Sequence, residues 1–204
     1  MNFLQMLAIA PLLQSNPEPT MSKAQAKLML EHLAEERVNR ALDLRKDIII
    51  KEAIPRGVHP NEAWRKYLEE MEDMHLNHYN FMGITKEKGI ELWEFFKEEV
   101  CQVLKEYDEG YFNKGIELLR SPDAEIAKRH QGTCPIPASV IADKLESGEM
   151  VMVDLDFATA YKWVDESRPE AQDPSYLEYA NRLKQYNENN QGYYYEISKS
   201  DITC

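Results

Sequence analysis

Cysteine is scarce: Cys101, Cys134 and Cys204 are the only three in 204 residues. An odd number at wide spacing argues against a disulfide scaffold and predicts an intracellular, reducing compartment or the inside of an assembled particle. No CxxC pair occurs, and His130 with Cys134 lacks the further ligands that a structural zinc needs. Glycine is sparse too, at 8 residues. Neither a glycine-rich phosphate loop, nor a Gly-x-Ser-x-Gly elbow, nor an HExxH motif is present. No apolar run reaches the roughly 20 residues that span a bilayer, so no transmembrane segment is expected. Basic charge is in deficit, with 24 Lys and Arg against 36 Asp and Glu and a net charge of −12. Non-specific nucleic-acid binding relies on Lys and Arg displacing counterions, so no direct nucleic-acid contact is expected. Anionic membranes are disfavoured for the same reason.

What is present suits a packed protein. Hydrophobic residues make up 43% and charged residues 29%, ordinary values for a globular chain. The segment from Met1 to Leu13 is apolar, but no Lys or Arg precedes it and Pro11 follows Ala8-Ile9-Ala10 directly, which blocks cleavage there. It therefore reads as an arm that packs on the body or on a neighbouring subunit, with Phe3, Leu4 and Leu7 as its contact residues. Two prolines make Gln14 to Thr20 a linker, so residues 1–20 form an arm and linker.

Residues 21–120 read as an antiparallel helical bundle. Ser22 and Gln25 form a capping-box signature, and Leu30, Leu33, Ala34, Ala41, Leu44 and Ile48 recur at helical spacing towards Ala53. Pro60 suits the first position of a second helix, whose face runs through Trp64, Leu68, Met71, His75, His78 and Met82. Thr85 caps a third helix with Ile90, Trp93, Val100, Leu104 and Tyr107 on one side, and Gly110 breaks or bends it. Long amphipathic helices with short connections pack as a bundle.

Residues 121–204 read as a small α/β region. A helix from Ala138 to Ser147 precedes a strand over Glu149–Phe157, another helix follows Pro174, and Tyr193, Tyr195 and Ile197 alternate in a second short strand. The fold class is thus mainly α, an N-terminal bundle with a C-terminal α/β appendage of two short strands.

Two patterns touch on chemistry. Glu72, His75 and His78 are spaced by three on one helix, so all can point to one side. The Glu-x-x-His element resembles the ligand motif of ferritin-like di-iron bundles, and the resemblance implies a divalent metal held by these three residues. It covers four residues, and no second Glu-x-x-His occurs. The strand leading to Asp154-x-Asp156 resembles the first motif of haloacid-dehalogenase-type phosphotransferases, but the residues after Thr159 are too few for that family's downstream motifs.

With no complete catalytic set, the expected function is that of a non-enzymatic structural or interaction protein that assembles with other protein subunits as a homo- or hetero-oligomer. Components of viral or phage particles have this profile. The Tyr193-Tyr194-Tyr195 run is a second expected contact, able to stack on a partner, and no cofactor is expected. The alternative is a metal-dependent enzyme using Glu72, His75 and His78.

Overall fold

A computed structural model describes residues 23–121, 134–189, 192–200 and 202. The chain divides into two compact units, Met1–Arg37 and Val38–Cys204. Helix α1 (Lys23–Ile48) begins in the first unit and ends in the second. The expectations for the apolar arm, including Phe3, Leu4 and Leu7, fall outside the described residues.

The architecture is mainly α with a small antiparallel sheet near the C-terminus. After α1 come a π-helical turn (Ile49–Ala53) and a short α2 (Ile54–Arg56). Pro55 lacks the N–H that would bond the Lys51 carbonyl, and its ring would clash there; the wider turn relieves this, with Ile54 N–H bonding back to Ile49 O. Gly57, at φ 64°, closes the element in the left-handed conformation that glycine tolerates.

Helices α3 (Pro60–Phe81) and α4 (Lys86–Leu119) form an antiparallel hairpin. The expected starts are found. The His59 Nδ1 accepts the Asn61 N–H at 3.2 Å ahead of Pro60, and Thr85 accepts the Lys88 N–H at 3.4 Å. Because His59 Nδ1 accepts, Nε2 carries the proton and donates to Glu196 Oε2 at 3.1 Å, which ties the start of α3 to the sheet. Gly89 faces Leu76 and Tyr79 across the hairpin, so a side chain there would crowd α3. Gly110 does not interrupt α4, which runs through it with an open surface around that position. Isolated glycine costs a helix only about 1 kcal/mol, less than the buried stripe on either side contributes.

The remaining elements are α5 (Ala138–Glu146), β1 (Met150–Leu155), β2 (Thr159–Trp163), a 3₁₀ turn (Pro169–Gln172), α6 (Pro174–Glu188) and β3 (Tyr194–Ile197). The sheet has three strands in the order β2-β1-β3, all antiparallel, where two were expected. The additional strand is β2, whose residues Thr-Ala-Tyr-Lys-Trp show no clean alternation. It is held by pairing with β1, closed by a tight turn in which Leu155 N–H bonds Ala158 O at 2.9 Å. Its outer edge is covered: Tyr161 N–H donates to the Tyr179 hydroxyl at 2.7 Å and Trp163 N–H to the Tyr176 hydroxyl at 2.8 Å, both from α6. Side-chain acceptors thereby satisfy donors that an edge strand would otherwise leave open to another chain. The α5 face of Ile141, Ala142 and Leu145 is fully buried, as are Met150, Met152 and Val153 on β1.

Cys101 is disulfide-bonded, whereas Cys134 is a free, buried thiol whose pKa burial raises to about 11. Alkylation of unfolded protein without reductant should leave Cys101 unmodified and label Cys134, as read by peptide mass mapping. Labelling of Cys101 without reductant would contradict the bond.

Candidate binding sites

The most polar part of the interior is built from two helices and β3. The buried stripe of α1 runs Ala41, Arg45, Ile48, so a cation occupies a core position. The buried stripe of α4 runs Val100, Leu104, Asp108, Phe112 at strict four-residue spacing, and an acid occupies the matching core position. Arg45 is 1% exposed. Its Nη1 donates to both Asp108 oxygens, at 3.0 and 2.8 Å, and its Nε donates to the Tyr193 hydroxyl at 3.1 Å. The guanidinium lies 3.7 Å from the centre of the Tyr195 ring, and the Tyr195 hydroxyl donates to Asp108 Oδ2 at 3.3 Å. Burial raises the Asp108 pKa, and Arg45 acts against that rise. One guanidinium nitrogen shared between both carboxylate oxygens gives charge-assisted bonds whose attraction can offset part of the cost of dehydrating both charges.

One guanidinium nitrogen, Nη2, is buried with no hydrogen-bond partner. Arg45 lines a cavity of about 170 Å³ between α1, α3, α4 and β3. Two other residues of its wall, Asn61 and Trp64, also carry unpartnered buried atoms, Oδ1 and Nε1 respectively. Arg65 and Lys105 complete its cationic lining, against Asp108 as its carboxylate.

The second feature is apolar and exposed. At the turn joining α3 to α4, Phe81 is 90% exposed and Met82 62%. Met74 lies seven residues before Phe81, on the same helical face, and is 54% exposed. Residues 69–94 around this tip hold seven carboxylates against two lysines.

The expected metal ligands sit on the same hairpin. His75 is half-buried and stacked on Trp93, with ring centres 4.5 Å apart and planes at 24°, and lies 5.8 Å from Phe96. Burial lowers its pKa, and His78 lowers it further. Glu72 is partly exposed and His78 is exposed. Among the described residues, no three His, Cys, Asp or Glu side chains are arranged to share a metal ion. Tyr193, Tyr194 and Tyr195 are all buried; the first and third stack on each other at 6.3 Å and serve the Arg45 network. Met82, placed by periodicity on the core face of α3, is instead part of the exposed tip, because the helix ends at Phe81.

Asp154 is a further buried acid. The Tyr111 hydroxyl donates to its Oδ1 at 3.3 Å and also contacts Thr159 Oγ1. Burial raises the Asp154 pKa to about 6, against the hydrogen bond from Tyr111, which lowers it. The folded state therefore holds a proton that the unfolded chain releases near pH 4, and stability falls as pH rises from about 4 to 6. This contribution is on the order of 2–3 kcal/mol once Asp154 is fully ionised. Urea unfolding of wild type and Asp154→Asn across this range should show the two curves diverging up to about pH 6 and running parallel above it. Parallel curves throughout would contradict the assignment.

Comparison with protein families, with curated proteins and with solved structures finds no match to this chain. Among the described residues, no helix is long and apolar enough to cross a membrane. Arg45 and Asp108 were not reached from periodicity, although a signal existed. Each is a charge set into an apolar stripe at four-residue spacing, and a solvated charge does not occupy such a position.

Proposed function

We propose that this chain is a non-enzymatic interaction protein that docks on a different protein chain through the tip of the α3–α4 hairpin. The observation that carries the reading is Phe81, an aromatic ring almost wholly in water at the end of a well-packed hairpin, with Met82 beside it and Met74 two turns behind on the same face. Exposed aromatic and methionine side chains at a prominent point favour a partner that buries them. The carboxylates around the tip define the partner's chemistry: an apolar pocket with a basic rim. A second copy of the same tip would bring like charges together across a two-fold axis, which disfavours self-association there.

The test compares wild type with a Phe81→Ser/Met82→Ser variant, each tagged and recovered from the cell that makes the protein. The reading expects a defined protein with wild type that is lost with the variant, and that binds wild type again when both are pure. Equal recovery with both proteins, or no binding between the pure components, would overturn it.

A further inference from the structure

We infer that His59 is a pH-sensitive latch at the start of α3: neutral, it caps the helix and ties it to β3, and on protonation it keeps β3 and lets the cap go. One imidazole here holds two hydrogen bonds of opposite sense. Its Nδ1 accepts the Asn61 N–H at 3.2 Å, and its Nε2 donates to Glu196 Oε2 at 3.1 Å. A backbone N–H can only donate, so the first bond requires a lone pair on Nδ1 and leaves the ring's single proton on Nε2. A second proton has only Nδ1 to occupy. It then faces the Asn61 N–H donor to donor, and the two bonds no longer coexist. Pro60 has no N–H, so the Asn61 N–H is the first donor of the helix, and the His59 side chain is what accepts it.

The surroundings decide which bond is given up. Glu196 on β3 accepts from His59 through one oxygen; through the other it accepts from Lys162 of β2 at 3.3 Å and from the Tyr194 hydroxyl at 3.2 Å. Burial alone would raise the Glu196 pKa, but the hydrogen bond from His59 and the charge of Lys162 bring it below the usual carboxylate range. Glu196 therefore stays ionised while His59 takes up its proton, and the Nε2 bond becomes an ion pair. On the other side of the ring the new charge meets the positive end of α3, which opposes a cation. Glu62 in the first turn offsets part of that repulsion, but it does not restore a lone pair to Nδ1. Attraction towards β3 and loss of the acceptor towards α3 act in one direction, so the cap is the bond that opens. The His59 side chain is 43% exposed, so its protonation needs no prior unfolding. The latch stands at the opposite end of α3 from Phe81 and is independent of the docking reading.

The experiment is an NMR titration of the whole protein, labelled with ¹⁵N and ¹³C, from about pH 8 to about pH 5, a range that brackets imidazole protonation. Ring nitrogen shifts report the state of His59; the Asn61 amide proton and the Cα shifts of Asn61 and Glu62 report the cap. At the alkaline end the ring should be the Nε2–H tautomer. As it protonates, at about pH 6.5 for an unperturbed imidazole, the Asn61 amide proton should move upfield. The helical Cα shifts of the first turn should shrink with the same midpoint as the ring. The ratio of capped to open first turn should fall about fivefold, the effect of losing a typical side-chain cap. The Thr85 cap on Lys88 holds no titrating group and should not respond. In His59→Asn, whose amide oxygen accepts at every pH, the first turn of α3 should keep its shifts throughout. First-turn shifts that stay constant through the titration of His59 itself would overturn the inference, as would an equal loss at Lys88 or in His59→Asn.

Discussion

Arg45→Met should destabilise the fold by about 3–5 kcal/mol, the cost of leaving one member of a buried ion pair without its partner. Methionine nearly fills the arginine's space and keeps the apolar stem, so lost packing contributes little. What remains is the Asp108 carboxylate, buried and holding only the hydrogen bond from Tyr195. The Tyr193 hydroxyl loses its Arg45 donor at the same time. The double variant Arg45→Met/Asp108→Leu should recover most of this loss, because removing both charges also removes the cost of dehydrating them. Denaturant unfolding at neutral pH provides both numbers. A loss under about 1 kcal/mol in the single variant, a value typical of exposed ion pairs, would mean that the pair is solvated.

The second large effect concerns binding. Truncating an aromatic anchor at the centre of an interface costs about 2–4 kcal/mol, or roughly 30- to 1,000-fold in affinity. Phe81→Ser should weaken partner binding by that amount once the partner is in hand. Its stability should stay within about 0.5 kcal/mol of wild type, since a ring that is 90% exposed contributes little to the core. The combination is what distinguishes a docking residue from a structural one. An equal loss of stability would place Phe81 among the groups that hold the fold.

The parts of this fold that were legible in the sequence are those set by local chemistry. Proline at the first turn of α3, threonine ahead of α4, and proline at the first turn of α6 each satisfy or remove backbone donors locally, and each stands at a helix start. Strand β1 was visible through its alternation. Strand β2 was not, because its place is decided by β1 on one side and by tyrosine hydroxyls from α6 on the other, contacts distant in sequence. The Arg45 network was hidden for a related reason. A charge counts as solvent-facing until its partner is known, and Asp108 stands 63 residues away. The exposure of Phe81 was equally out of reach, since periodicity does not show that α3 ends at this residue or that the partner helix begins only at Lys86.

The most direct test of the docking reading places a photo-crosslinking benzoylphenylalanine at position 81, where it replaces a ring with a ring, in the cell that makes the protein. A control carries it at Glu117, an exposed position on α4 far along the chain from the tip. The reading predicts one discrete adduct from position 81 with a different protein, bearing a basic surface at the crosslink, and none from position 117. Equal labelling from both positions, the absence of a discrete adduct, or an adduct of twice the chain's own mass would contradict it.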